Sequence, residues 1–271
     1  MLHVVGNVAI DTVFRVDRFP SPGETIVATA MVEDIGGKGA NQAVVAARAG
    51  VPVRLVAALG DEDFDVRYMP SHEAQRNFPQ AIEGLSAYDV VILSDIGANT
   101  LLLHPDTWIK SQRTPNRLKL IRDYVIAGGG LLMAGGYYSF QGINGGARYR
   151  NTPVEDVLPV EILPYDDRVE VPEGFLPVIR DAKHPIVAGF PAAWPALLGF
   201  NEVKAKPDAT LIATVSPEYG DKPLLVAGSY GKGRSVAWTS DIGPHWLPNE
   251  FVEWEGYGRL WRQMLNWLAK R

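Results

Sequence analysis

Apolar runs and helix-like segments alternate along the first half of the chain. Runs rich in apolar and β-branched residues predict buried strands at 4–10, 53–59, 88–93 and 131–134, and an extended stretch at 25–32. An alanine-rich segment at 39–49 predicts a helix that ends at Gly50, and Thr114-Pro115 is typical of a helix start. This alternation indicates an α/β fold with a mainly parallel sheet.

The last third of the chain has a different pattern. Three strand-like runs follow one another through short connections, at 211–215, 224–227 and 235–239, which favours antiparallel pairing. Gly231-Lys232-Gly233 lies between two of these runs with no helix after it, so it predicts a hairpin turn rather than a phosphate loop. Apolar residues at helical spacing from 251 to 268 predict one helix that packs on the sheet.

Composition and charge narrow the class of protein. The chain has 271 residues, enough for one large domain or two small ones, and 46% of them are hydrophobic, as in a folded globular protein. The formal net charge of −5 argues against a nucleic-acid partner, because phosphate binding needs a basic face. No apolar run approaches the roughly 20 residues that span a bilayer, and the first residues lack a signal-peptide pattern. We therefore expect a cytoplasmic protein with no membrane partner.

Cysteine is absent from the sequence. This excludes disulfides, thiolate metal sites and every cysteine nucleophile supplied by this chain.

Residues 1–64 carry a series of glycine-rich motifs. They are Gly-Asn-Val-Ala-Ile-Asp at 6–11, Phe-Pro-Ser-Pro-Gly-Glu-Thr at 19–25, Gly-Gly-Lys-Gly-Ala-Asn-Gln-Ala at 36–43 and Leu-Gly-Asp-Glu-Asp at 59–63. This segment resembles the amino-terminal part of ribokinase-like (PfkB) carbohydrate kinases. The resemblance implies that the sugar hydroxyls are held by the matching residues of this chain, which are Asn7, Asp11, Gly36, Gly37 and Asn41. Carboxylate acceptors and bare glycine backbone suit that role.

The resemblance to kinases does not extend to the phosphate-handling residues. That family has a distal Asp-Thr-x-Gly-Ala-Gly-Asp motif, whereas here Asp106-Thr107 continues as Trp108-Ile109. Phosphoryl transfer depends on positioning and electrostatic stabilisation of charge, so kinase activity is not expected. We expect residues 1–64 to supply a strand, a helix and a strand that merge into the main sheet. Together with residues 65–271 they would then form one compact domain.

A second set of motifs lies between residue 66 and the end of the chain. It comprises the strand and turn at 88–97, the triple glycine with its strand and turn at 128–137, His184-Pro185-Ile186, and the segment 240–246. This region resembles class I glutamine amidotransferase-like proteins of the cytoplasmic group and, more distantly, the trehalose-utilisation (ThuA-like) proteins. The resemblance implies a three-layer, flavodoxin-like α/β sandwich.

The residue expected to act as the nucleophile is missing. Glutaminases of this class place a cysteine in a tight Gly-x-Cys-x-Gly turn after a strand, with His and Glu downstream. Here the turn is Gly-Gly-Tyr-Tyr-Ser at 135–139, so Tyr137 stands where the cysteine would be. Phenol is a poor nucleophile near neutral pH, and Ser139 lacks the flanking glycines of a serine elbow. Glutamine hydrolysis by the family's route is therefore not expected.

The tetrapeptide Ser-Asp-Ile-Gly occurs at 94–97 and again at 240–243, each time after a predicted strand. Ligands of open α/β sheets bind outside such strand ends, so we predict one polar and aromatic pocket there. Its candidate catalytic residues are His245, Asp241 and Tyr137, with His245 as the acid–base candidate. Its candidate ligand-binding residues are Asp95, Asn99, Tyr138, Ser139, Gln141, Arg148 and Trp246.

Several alternatives stay open at this point. Each aspartate could instead form a cap or a turn, and an antiparallel direction of the strand 235–239 would carry Asp241 to the opposite edge. Three functions compete: a hydrolase or transferase, a non-catalytic binding or subunit protein, and a sugar binder or kinase remnant acting through Asp11 and Asn41. The expected partner is a small polar metabolite. No cofactor and no metal are expected, and self-association into a homo-oligomer stays open.

Overall fold

The structure is a computed structural model that describes residues 2–5, 9–15, 30–36, 53–56, 64–67, 69–243 and 245–271. The chain divides into two compact units, Met1–Val66 and Arg67–Arg271. The helix predicted at 39–49 lies outside the described residues.

The first unit contains two pairs of strands. Strands β1 (Leu2–Val5) and β4 (Val53–Val56) pair in parallel, and β2 (Ala9–Arg15) pairs antiparallel with β3 (Ala30–Gly36). The single strand expected at 4–10 was therefore wrong, because that stretch contributes to two strands, β1 and β2. The predicted merger of residues 1–64 with the rest of the chain into one domain stays a prediction.

The second unit is a mixed α/β structure. Its helices are α1 (Ser71–Asn77), α2 (Ile82–Leu85), α3 (Ala98–Leu102), α4 (Pro105–Trp108), α5 (Arg117–Ala127), α6 (Pro153–Asp156), α7 (Asn249–Val252) and α8 (Gly256–Ala269). Its strands are β5 (Val90–Ser94), β6 (Gly130–Ala134), β7 (Val160–Ile162), β8 (Arg168–Phe175), β9 (Val178–Ile179), β10 (Leu197–Asn201), β11 (Val203–Ala205), β12 (Thr210–Thr214), β13 (Pro223–Tyr230) and β14 (Gly233–Trp238).

The main sheet has six strands in the order β5-β6-β14-β13-β12-β9. The β5–β6 and β6–β14 pairs are parallel, whereas the other three pairs are antiparallel. The antiparallel C-terminal part is as predicted, and the sheet as a whole is mixed rather than mainly parallel. Because β14 is parallel to β6, the carboxyl ends of β5, β6 and β14 lie at one edge of the sheet.

Both faces of this sheet are covered by hydrophobic cores. Side chains alternate along a strand, so Leu132 of β6 packs into one core while Leu131 and Met133 pack into the other. Helix α8 contributes Leu260, Met264 and Leu268 to the first core. Helix α5 contributes Leu118, Ile121, Tyr124 and Val125 to the second core. The strands that carry the site are thus held from both sides.

Two helix boundaries differ from the sequence prediction, and one turn agrees with it. Helix α5 is capped by Asn116, whose side-chain oxygen accepts hydrogen bonds from two backbone N–H groups, so Thr114 is not its cap. The single helix expected at 251–268 is divided into α7 and α8. The Gly-Lys-Gly segment at 231–233 joins β13 to β14 as the predicted hairpin turn.

Two small antiparallel pairs, β7–β11 and β8–β10, complete the second unit. The β8–β10 pair brings Asn201 to Gly136 and Arg168 to Tyr137, in the turn that follows β6. Within the described part of the chain, no helix is long and apolar enough to cross a membrane.

Candidate functional site

Three loops meet at the carboxyl edge of the main sheet. They follow β5, β6 and β14 and carry Asp95, Tyr137 and the Asp241–His245 segment, respectively. The rings of Tyr137 and His245 are 4.6 Å apart between centroids, in an edge-to-face arrangement. The structure therefore brings together residues that the sequence placed at three strand ends, and their use by a ligand stays a prediction.

The turn after β6 requires two glycines. The N–H of Gly135 donates to the carbonyls of Trp238 and Ser240, and a Cβ on Gly135 would lie 2.1 Å from the Thr239 carbonyl oxygen. Gly136 has a φ of 139°, and a Cβ there would lie 2.4 Å from Oδ1 of Asp95. The bare glycine backbone thus lets the three loops approach closely.

A buried polar network holds this turn in place. The Asn201 side chain, which is fully buried, accepts from the Gly136 N–H at 2.9 Å and donates to Oδ1 of Asp167 at 2.8 Å. The Asp167 carboxylate also accepts from the N–H groups of Gln141 and Gly142. Burial raises the pKa of Asp167, although these donors oppose the shift. The network fixes the path of the chain from residue 136 to 142.

Tyr137 is surrounded by aromatic and charged groups. The Arg168 guanidinium lies 4.5 Å from the ring centroid, His245 contacts the ring from another side, and the Trp246 ring is 6.2 Å away. Burial raises the pKa of the Tyr137 phenol, and the negative charge of Glu170 raises it further. The phenol is therefore protonated at neutral pH, which supports the view that it does not replace a thiolate nucleophile.

His245 lies between two carboxylates. Its Nδ1 is 3.5 Å from Oδ2 of Asp241, and its Nε2 is 4.0 Å from Oε2 of Glu170. The imidazole stacks on Trp246 at 5.2 Å, and the indole N–H of Trp246 donates to Glu170 at 2.8 Å. A histidine oriented by a carboxylate and left 38% exposed is suited to move a proton to or from a bound molecule.

Asp241 is the most perturbed carboxyl group of this site. Burial raises its pKa to about 6, the nearby charge of Asp95 adds to the shift, and His245 and the N–H of Ile242 oppose it. Asp241 therefore changes charge near pH 6. Perturbed carboxyl groups of this kind concentrate at functional sites.

Three other residues proposed for ligand contact have structural partners. Ser139 is buried, and its hydroxyl accepts from the Asp95 N–H, so it shapes the Asp95 turn. The N–H of Tyr138 donates to Asp95, and its ring, which is 50% exposed, lies beside Gly97. Trp246 is buried and forms the floor under His245. Asn99 is exposed on α3, and no contact joins it to the Tyr137–His245 pair among the described residues.

Gln141 and Arg148 line a neighbouring open cleft of about 440 Å³. Its lining includes none of Tyr137, Asp241 and His245. Two of the residues predicted for a single pocket, Gln141 and Arg148, therefore line this cleft, and the shared pocket stays a prediction. In the described part of the chain, no group of three or more His, Asp or Glu side chains is arranged to hold a metal ion.

Comparison with known proteins supplies the family. A family model described as "GATase1_like: Putative glutamine amidotransferase" matches residues 28–270. The chain belongs to this family. Two solved structures from Salmonella typhimurium, the cytoplasmic proteins STM3548 and STM1381, are 34% and 35% identical to it. Each alignment covers 98% of both chains with a TM-score of 0.72. A ThuA-like protein from Parabacteroides merdae is a weaker match, at 15% identity over 82% of this chain and 80% of that one, with a TM-score of 0.49.

The ribokinase resemblance is also confirmed, over a short segment. The ribokinase of Bacillus subtilis is 44% identical over 61 residues, which are 22% of this chain and 21% of that enzyme. The chain thus spans about a fifth of the length of the ribokinase that it matches. Of the residues carried over from that family, Asp11 lies in β2 and Gly36 ends β3. Asn7, Gly37 and Asn41 lie outside the described residues.

Four residues of this site could not be recognised from the sequence, namely Asp167, Arg168, Glu170 and Asn201. They lie in or next to β8 and β10, an antiparallel pair that sits outside the main sheet. The only signal was the cluster of charges at 166–170 before a strand-like run, which does not indicate where that strand packs.

Proposed function

We propose that this glutamine amidotransferase-like protein binds a small polar metabolite at the carboxyl edge of its main sheet, beside Tyr137, Asp241 and His245. One observation carries the proposal: a carboxylate–histidine pair adjoins the turn where relatives with glutaminase activity would need a cysteine. We further infer a three-layer, flavodoxin-like arrangement and a cytoplasmic location, in keeping with the names of the two Salmonella proteins.

The charges of the site favour a ligand rich in hydrogen-bond donors. Asp95, Asp241 and Glu170 offer acceptor oxygens, whereas Arg168 is already bound to Asp166 through two hydrogen bonds of 3.0 and 2.9 Å. Hydroxyl and amino groups satisfy carboxylates, and aromatic faces such as that of Tyr138 suit a sugar ring. The expected ligands are therefore sugars, polyols, amides and amines rather than anions.

His245 is the group suited to transfer a proton within this site. Asp241 would orient its ring, and the phenol oxygen of Tyr137, whose proton is directed to Glu170, would accept a hydrogen bond from a ligand donor. A hydrolase or transferase reaction and simple ligand binding both use this arrangement.

Neither glutaminase nor sugar kinase activity is expected from the purified chain. The chain has no cysteine nucleophile for glutamine hydrolysis, and it lacks the phosphate-handling motif of the sugar kinases. Ammonia release from glutamine and ATP-dependent phosphorylation of ribose are the two assays. Turnover above about 1 s⁻¹, the low end for typical enzymes, in either assay would show this expectation to be wrong.

The binding proposal is tested with the full chain and a panel of glucose, ribose, glycerol, glutamine and a primary amine. Thermal-shift measurements identify binders, and calorimetry then compares wild type with His245→Gln and Tyr137→Phe. Replacing the His245 imidazole with the glutamine amide should weaken ligand binding by about tenfold or more. His72→Gln, an exposed histidine of helix α1, is the matched control and should bind as wild type does.

Two results would count against the proposal. One is that no member of the panel binds. The other is that binding is unchanged in His245→Gln, or is lost instead in Asp11→Ala. The last outcome would favour the second candidate, a sugar site in the ribokinase-like segment, which is supported by the match over 61 residues.

A further inference from the structure

The cleft that contains Gln141 and Arg148 has a chemistry of its own. It measures about 440 Å³ and is lined by polar residues, which include Arg148, Arg150, Asn144 and Tyr165. A volume of this size accommodates a small metabolite.

The charge of the cleft is positive although the chain is acidic. Its carboxylate, Asp166, is bound by Arg168 through two hydrogen bonds and accepts a third from the Asn144 N–H at 2.7 Å. These bonds lower the pKa of Asp166 to about 2, so its carboxylate is ionised at neutral pH. The negative charge is balanced by the Arg168 guanidinium. Among the described residues, neither Arg148 nor Arg150 has an ion-pair or hydrogen-bond partner. Two guanidinium groups therefore remain available for an anion.

The loop that carries these arginines is rigidly held. Tyr149, between them, is fully buried, and its hydroxyl donates to the Ile96 carbonyl at 2.6 Å. Its N–H donates to the Phe140 carbonyl, and the Ala147 N–H donates to the Gln141 carbonyl. The backbone of Arg148 is left-handed, with a φ of 62°, and is kept there by these contacts. The two side chains are thus presented from a pre-organised backbone, which lowers the entropic cost of binding.

Gln141 adds a second requirement. Its amide oxygen is buried and has no hydrogen-bond partner among the described residues. A buried acceptor without a partner is costly, and rotation of the Gln141 side chain, which lines the cleft, would let a ligand hydroxyl or amino donor satisfy it. The cleft therefore combines sites for an anion with a site for a hydrogen-bond donor.

We propose that this cleft binds the anionic group of a small hydroxylated metabolite through Arg148 and Arg150. Guanidinium groups bind both phosphate and carboxylate oxygens in a bidentate manner, so the shared chemistry is an oxyanion. The proposal stands independently of the function inferred for the Tyr137–His245 site, since no residue of that pair lines the cleft.

The experiment uses three probes that share a carbon skeleton, namely glucose 6-phosphate, gluconate and glucose, together with inorganic phosphate. Calorimetry on the full chain at low ionic strength, where charges are least screened, gives each dissociation constant. We expect at least one of the two anionic sugars to bind about tenfold more tightly than glucose. The phosphate ester and the carboxylate identify which oxyanion the cleft prefers.

Variants assign the binding to the cleft. The double variant Arg148→Gln and Arg150→Gln should lose about tenfold or more in affinity for the anionic probe, and added salt should weaken binding to wild type. Arg76→Gln, at an exposed arginine of helix α1, is the matched control and should retain wild-type affinity. His245→Gln should also retain it, which separates this proposal from the one above. Equal binding of all three sugars, no binding of any anion, or unchanged affinity in the double variant would overturn the proposal.

Discussion

Replacing Asn201 with alanine is expected to lower the free energy of unfolding by about 2 kcal/mol or more, because two buried polar groups each lose a hydrogen bond that costs about 1–3 kcal/mol to leave unmade. The substitution removes the donor to the Asp167 carboxylate and the acceptor of the Gly136 N–H, and both groups are buried. Buried polar groups without partners carry the full cost of their desolvation. The same change loosens the turn that positions Tyr137, so ligand binding at that site should also fall.

Denaturant unfolding of wild type and Asn201→Ala measures this effect. Asn77→Ala, at an exposed residue that ends helix α1, is the matched control and should change stability by no more than about 0.5 kcal/mol. Adding Asp167→Asn to Asn201→Ala should cost less than the sum of the single changes, because no carboxylate is then left without its partner. A loss below about 1 kcal/mol for Asn201→Ala would mean that the network does not hold the site.

Replacing Asp241 with asparagine is expected to stabilise the protein at pH 8 and to have little effect near pH 4. The folded-state pKa of Asp241 is about 6, above the value of 3.8 for an unperturbed aspartate. The native state therefore holds the proton more tightly, and the contribution of Asp241 to stability is lost as the pH rises from 3.8 through 6. The difference corresponds to at most about 3 kcal/mol, at 1.36 kcal/mol per pKa unit.

The test is the free energy of unfolding of Asp241→Asn and wild type at the two pH values. Asp208→Asn, at an exposed aspartate, is the matched control and should change stability by less than about 0.5 kcal/mol at either pH. A stabilising change that costs ligand binding is what a functional carboxylate would produce. A destabilisation by Asp241→Asn at pH 8 would contradict the raised pKa.

Much of the main sheet follows from the sequence. The apolar runs that become β5, β6, β12, β13 and β14 are buried strands bounded by turn residues, so local pattern and tertiary position agree. Both copies of Ser-Asp-Ile-Gly come after strands that end at the same edge, and Asp95 lies close enough to Asp241 to raise the pKa of that carboxyl group. The sequence left the direction of β14 open, since strand direction depends on pairing rather than on composition.

The second half of the site could not be inferred in this way. Asn201 reaches the Gly136 turn from β10, and Glu170 reaches His245 from β8. These two strands pair with each other outside the main sheet, and their contacts depend on long-range packing. Arg148 lies close to Tyr137 in the sequence but faces another cleft, because the intervening loop folds around Asp167.

A crystal structure of the full chain with the tightest donor-rich ligand from the binding panel would locate the ligand-binding site. We expect a ligand hydroxyl or amino group within hydrogen-bond distance, about 3 Å, of His245 or Asp241, with Tyr137 in contact. A ligand bound instead on the ribokinase-like segment, or only in the Arg148 cleft, would contradict this expectation.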